Sequence, residues 1–215
     1  MNSSLPVALA ALLLSAPVSF AQEEKPLAAE PPAAAPATKL EAFLGKRGSL
    51  IVRDFKTAGA IDGDEQRRST GITLHNSFIT VTALSVYEPG KENVKLKGLQ
   101  VEISQAVGRD AEGMRVWRDS LSFVDAEEAE SLSKALHYLS DLTTKWKGQD
   151  VGQKEVYFKT QAELKIGINQ TGAKDVMVWA IGGDFKKAKS NITAVDGLTT
   201  LKGLVDQGVA WLKTQ

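Results

Sequence analysis

The stretch Leu121–Trp146 (LSFVDAEEAESLSKALHYLSDLTTKW) constrains the fold of this chain more than any other. Leu121 and Phe123, with Ser122 between them, alternate like the end of a half-buried strand. Asp125 stops the alternation. Its carboxylate can accept from the free amides of a starting helix, and Glu128 three residues on completes an acidic variant of the capping box. Glu127, Glu128 and Glu130 then suit the positive end of the helix dipole, and Lys145 and Lys147 the negative end. Leu132, Leu136, Leu139, Leu142 and Trp146 recur every three or four residues as one apolar stripe. The pattern predicts a strand, a tight corner and a long helix lying on a sheet.

The end of the chain repeats the device. Ala194-Val195-Asp196 echoes Phe123-Val124-Asp125, and Leu198, Leu201, Val205, Val209 and Leu212 make a second stripe. Val-Asp before a helix is what capping selects anyway, so the echo does not by itself establish a duplication. Gly203 and Gly208 lie inside this helix, at roughly 1 kcal/mol each relative to Ala. Two accounts fit them: close approach to the sheet or the other helix, or plain tolerance.

Between these helices the chain reads as strands. Lys39 to Lys46 suits a short helix, Ser49 to Lys56 a strand, and Thr57 to Thr70 a long polar loop. Phe78 to Tyr87 is a long strand with apolar residues on both faces. Glu88-Pro89-Gly90-Lys91 predicts a type II turn, with Pro89 presetting φ and Gly90 supplying a positive one. Beyond it Val94 and Leu96 are out of phase with Leu99, Val101 and Ile103. A bulge at Lys97-Gly98 with positive φ would repair the phase; a strand kept straight, with both faces buried, is the alternative. Val107 to Gly113 is a turn, and Met114 to Phe123 leads into the first long helix. Glu155–Lys159, Ala162–Ile168 and Asp175–Ile181, joined by short links, form a second antiparallel meander. The expected fold class is α+β, with antiparallel meanders and two long amphipathic helices packed on one face. If the chain is built of two similar meander–helix halves, they are 39–148 and 149–215.

Residues 1–21 carry no charged side chain; an apolar run from Val7 to Ala16 and Ser19-Phe20-Ala21 fit an export signal cleaved after Ala21, although no Lys or Arg precedes the run. Residues 22–38, rich in Ala, Pro and Glu, read as a semi-extended tether, leaving 39–215 as the folded domain. The chain has no cysteine, hence neither a disulfide nor a lipid-anchoring thiol, which favours a bacterial envelope (periplasmic or secreted). Its 26 basic and 26 acidic residues are spread rather than blocked. That argues against a nucleic-acid partner or an anionic-lipid surface, and no integral membrane segment is expected after cleavage.

Candidates for chemistry are few. His75 stands near Ser77 at a strand end, but no third group and no nucleophile-elbow pattern accompany it. His137 falls on the flank of the long helix with Ser133 and Ser140, a solvent-facing position. Asp62, Asp64 and Glu65 form a carboxylate-dense stretch without the ligand spacing of a calcium loop. Together with Asp110 and Glu112 they are the acids a carboxylate-dependent hydrolase would use, if two lay 5–10 Å apart across a cleft. Gly182-Gly183-Asp184 lacks the lysine of a phosphate loop, and Phe185 to Lys189 reads as a solvated sheet edge. Trp117, Trp146, Trp179 and Trp211 read as core rather than as a groove. No catalytic residue, metal site or cofactor is expected. The function these observations favour is an exported, non-catalytic binding or interaction domain for a protein or small ligand. The alternatives are the hydrolase and a structural module that self-associates.

Overall fold

The computed structural model describes residues 35–67, 73–183, 188–192 and 195–215; the side chains of residues 64–75 and of Val195 lie outside that description. In chain order the elements are α1 (Lys39–Leu44), β1 (Val52–Arg67), β2 (Thr73–Tyr87), β3 (Leu96–Arg109), β4 (Arg115–Asp125), α2 (Ala126–Trp146), β5 (Gln153–Lys159), β6 (Lys165–Thr171), β7 (Met177–Gly182), β8 (Ala188–Ile192) and α3 (Val195–Leu212). Both sheets are antiparallel meanders of four strands, ordered β1-β2-β3-β4 and β5-β6-β7-β8. The fold is α+β, and each half is a four-stranded meander followed by a long helix.

The helices do not stay with their own sheets. α3 ends the second half yet lies on β1, β2 and β3, while α2 packs on β3 and β4 and also on β5 and β6. The two helices run against each other, and β8 meets all four strands of the first sheet. One core results. Ile79, Val81, Leu99, Val101 and Ile103 from the first sheet meet Leu132, Leu136 and Leu139 of α2, Leu198, Leu201 and Val205 of α3, and Ile166 and Ile168 of the second sheet. The α2 stripe is the one the spacing predicts, with Thr143 buried and Leu142 at its margin. In α3 the two glycines divide between the two accounts. A Cβ on Gly208 would stand 2.7 Å from Leu99 Cδ2, whereas nothing lies within 4 Å of one on Gly203.

Several expectations are corrected. β1 runs on to Arg67, so residues 57–67 are strand and not loop. The glycines that suggested a loop mark close approach. A Cβ on Gly59 would lie 2.9 Å from Leu204 Cδ2, and one on Gly63 2.2 Å from Ser190 Oγ. Gly59 also has φ 151° at a register shift between Thr57 and Gly59, which makes Ala58 the extra residue of a bulge. The strand through Gly98 is straight: pairing with β2 is unbroken from Ser77 opposite Gln105 to Val86 opposite Leu96, and Gly98 has no positive φ. Both faces of the sheet are covered at this end, so both apolar phases find partners. Leu99, Val101 and Ile103 point inward to α2 and α3. Leu96 points outward, to a second cluster that Leu40, Phe43 and Leu44 of α1 make with Leu84, Val86 and Phe123. The shift in β3 falls instead between Ala106 and Gly108.

In β4 the buried phase is Ser120, Ser122 and Val124, and Leu121 lies on the outer face. A fourth strand, β8, follows the second meander; its inward residues Ala188, Ser190 and Ile192 are small or aliphatic, and the lysines beside them hid the pattern. The turn at Gly90 is as predicted, with φ 81° and the Lys91 amide donating to the Glu88 carbonyl at 2.9 Å.

Candidate functional site

The acids and histidines singled out from sequence do not converge among the described residues. Asp62 sits within β1 opposite Phe78, whose partner on β3 is Ser104. Asp110 and Glu112 lie in the β3–β4 turn, where Asp110 Oδ1 accepts from the Met114 amide at 2.7 Å and so closes the turn. Asp110 is six residues beyond Ser104 and two strands from β1, on the order of 20 Å of strand path at about 3.3 Å per residue. The structure does not bring Asp62 to Asp110 or Glu112. The side chains of Asp64, Glu65 and His75 lie outside the described residues. No group of three metal-ligating side chains occurs among the described residues.

The corner at Asp125 does different work from that expected. Asp125 is the N-cap residue of α2, but its side chain makes no cap bond there. Its two carboxylate oxygens accept from the amides of Lys39 and Leu40, each at 3.0 Å, and so anchor the N-terminus of α1 to the first sheet. Glu128 likewise turns away from its helix, and its Oε1 accepts from the Gln161 amide at 2.8 Å. Oε2 is buried without a partner. Desolvation raises the Glu128 pKa above the usual carboxylate range, against the lowering effect of the Gln161 bond.

One polar constellation escaped the sequence reading because its members come from two helices. Ser133 Oγ of α2 donates to Asp206 Oδ1 of α3 at 2.5 Å, and Lys202 Nζ holds the other oxygen. His137 lies close enough to act on Asp206 electrostatically, and its Nε2 is 3.8 Å from Asp141 Oδ2. Serine, histidine, aspartate and lysine together suggest nucleophile activation, but the wiring is wrong for it. The serine proton is held by a carboxylate; burial pulls that group upward, and the bonds from Lys202 and Ser133 leave it below its ordinary value, a weak base. This is a clasp between α2 and α3.

What remains is the outer face of the first sheet, the side turned away from α2 and α3. α1 covers only the end near Leu84 and Val86. Phe55, on the β1 edge opposite Leu84, is 67% exposed, and beyond α1 the face is open, with Leu121 47% and Trp117 37% exposed. Trp117 packs against Phe78 with ring centroids 5.3 Å apart, tilted by 36°. Arg115 lies over the same indole at 6.0 Å. Trp117 is therefore not core, contrary to the sequence expectation. Toward the α1 end of the same face stand hydrogen-bonding groups, among them the Thr57 and Thr82 hydroxyls 3.4 Å apart and an Arg53 guanidinium donating to Gln100 Oε1 at 3.3 Å. Comparison with known proteins finds no matching family model, no matching curated protein and no matching solved structure.

Proposed function

We propose that this chain is an exported, non-catalytic interaction domain of a bacterial envelope, and that it binds through the open outer face of its first sheet. The observation that carries the reading is the asymmetry of that sheet. One face is buried under α2, α3 and β8, while the other leaves Leu121 and the Phe78–Trp117 pair at the surface, with Phe55 exposed farther along it at the β1 edge. Exposed aromatic and aliphatic groups on one face, with threonine, glutamine and arginine beside them on that face, have the mixed apolar and polar composition of an interface. The apolar run in residues 1–21 and the absence of cysteine support export to the envelope.

The test is positional. A photo-activatable phenylalanine analogue is placed at Leu121 or Phe55 and, as controls, at Tyr138 and Tyr157, whose exposure falls between those two but which lie on α2 and β5. Irradiation in an envelope fraction should give reproducible adducts from the two sheet-face positions and none from the controls. Adducts from the controls alone, or from no position, would refute the reading.

A further inference from the structure

The open face is charged in a pattern that a second copy of the same face would complete. β3 and β4 continue past the last β2–β3 pair, and in their final rung Arg109 stands directly opposite Arg115. The Arg109 guanidinium donates to the Gly113 carbonyl of its own turn, and Arg115 lies over the Trp117 ring at 6.0 Å. From the register, both arginines share the outer face with Trp117. Farther down the same face come Asp119, opposite Ser104, and Glu102, opposite Leu121. Among the described residues neither Glu102 nor Asp119 has an ion-pair partner within the protomer. Between Arg53 at the α1 end and the two arginines at the free end, the face is acidic in its middle, with Asp62 opposite Phe78 as a third acid, and aromatic next to the free end.

From this we infer that two copies pack these faces together about a two-fold axis lying across the strands, so that the Arg109–Arg115 end of each covers the Glu102–Asp119 region of the other. The inference rests on the reading of this face as an interface and names its partner. An isologous contact requires that each element of a patch find its complement elsewhere in the same patch, and the order basic, aromatic, acidic satisfies that. The axis would pass near Trp117, bringing the two Phe78–Trp117 pairs together as the apolar centre. The other candidate partners fit less well: a uniformly acidic ligand would meet Glu102 and Asp119, and an anionic membrane would meet them together with Glu112. Size bounds the strength. The strip between α1 and the hairpin tip is roughly 30 Å by 15 Å at the usual strand rise and spacing. Pairing two such strips buries on the order of 900 Å², below the range of stable complexes, so the association is weak and salt-sensitive.

Sedimentation of the full chain tests this. At 50 mM salt the weight-average mass should rise from monomer toward dimer between about 2 and 400 μM, with at least a tenfold weaker constant at 500 mM salt. The double variant Arg109→Glu/Arg115→Glu and the double variant Glu102→Arg/Asp119→Arg should each remain monomeric, with unchanged circular dichroism. An equimolar mixture of the two should dimerise, because each then supplies what the other lacks. Trp117→Ser should abolish association in the native-charge background. A chain monomeric at 400 μM overturns the proposal, as does a dimer indifferent to all three changes or a mixture that stays monomeric. If the chain stays monomeric while the sheet-face crosslinks in envelope extract persist, the face is an interface for a different partner. Binding to anionic vesicles by a chain that does not dimerise would likewise assign the face to lipid.

Discussion

Gly98 lies where α1 presses on the first sheet, and its lack of a side chain is a packing requirement. A Cβ there would stand 2.3 Å from the Val124 carbonyl oxygen and 3.1 Å from Leu40 Cδ2. Backbone cannot yield as a side chain can, so Gly98→Ala should destabilise the chain by about 2 kcal/mol or more, and Gly98→Val by more still. Gly203→Ala should do the opposite. In a helix with open space at that position it removes unfolded-state entropy and adds about 0.5–1 kcal/mol. Urea midpoints of the two alanine variants, moving in opposite directions, check both. Glu128 makes a different prediction. Its folded pKa is raised, so the folded state binds more protons than the unfolded state in the window just above the ordinary value of 4.5. Stability from this group is present below that window and is lost as pH rises through it. Glu128→Gln keeps an acceptor for the Gln161 amide and cannot ionise. Its melting temperature, relative to the native chain, should be higher at pH 7 than at pH 4; an equal difference at both would show that desolvation of Glu128 does not matter. The glycines of β1 and β3 were legible in the sequence only as loop or bulge signals, since what presses on Gly59, Gly63 or Gly98 comes from distant residues.

At the scale of elements, local chemistry was legible wherever the element alone decides it. The α2 stripe and the turn at Gly90 follow from spacing and backbone conformation. The strand phases did not follow, because burial on both faces of β2 and β3 makes alternation ambiguous at the end that α1 covers. Nor did the role of Asp125. It was expected to cap its own helix, but the amides it serves belong to a helix some 85 residues away. Asp125→Ala should therefore release α1 rather than shorten α2. The expected cost is about 1–2 kcal/mol, as for a lost cap. Hydrogen exchange should speed up at the amides of Lys39 and Leu40 and through α1, with α2 unchanged. Fraying of the first turn of α2 in this variant would contradict the assignment.

For the whole molecule, two meander–helix halves were visible in the sequence, but not that each helix serves both sheets. That exchange is a matter of tertiary packing, and hydrophobic periodicity does not say which sheet a stripe will cover. The same limit hid the Ser133–Asp206 clasp, whose partners are separated by 73 residues. It also hid the open face, because Trp117 and Leu121 are indistinguishable from core residues until α2 and α3 are seen to occupy the other side. The central claim is that this face is covered when the protein is at work. Hydroxyl-radical footprinting of the full chain tests it directly, comparing dilute purified protein with the same protein in its envelope fraction. Oxidation of Phe55, Trp117 and Leu121 should fall severalfold in the envelope fraction, while Tyr138 and Tyr157, comparably exposed in the isolated protein, should be unaffected. Equal oxidation of the sheet-face residues in both samples, or protection of Tyr138 and Tyr157 in their place, would contradict the account.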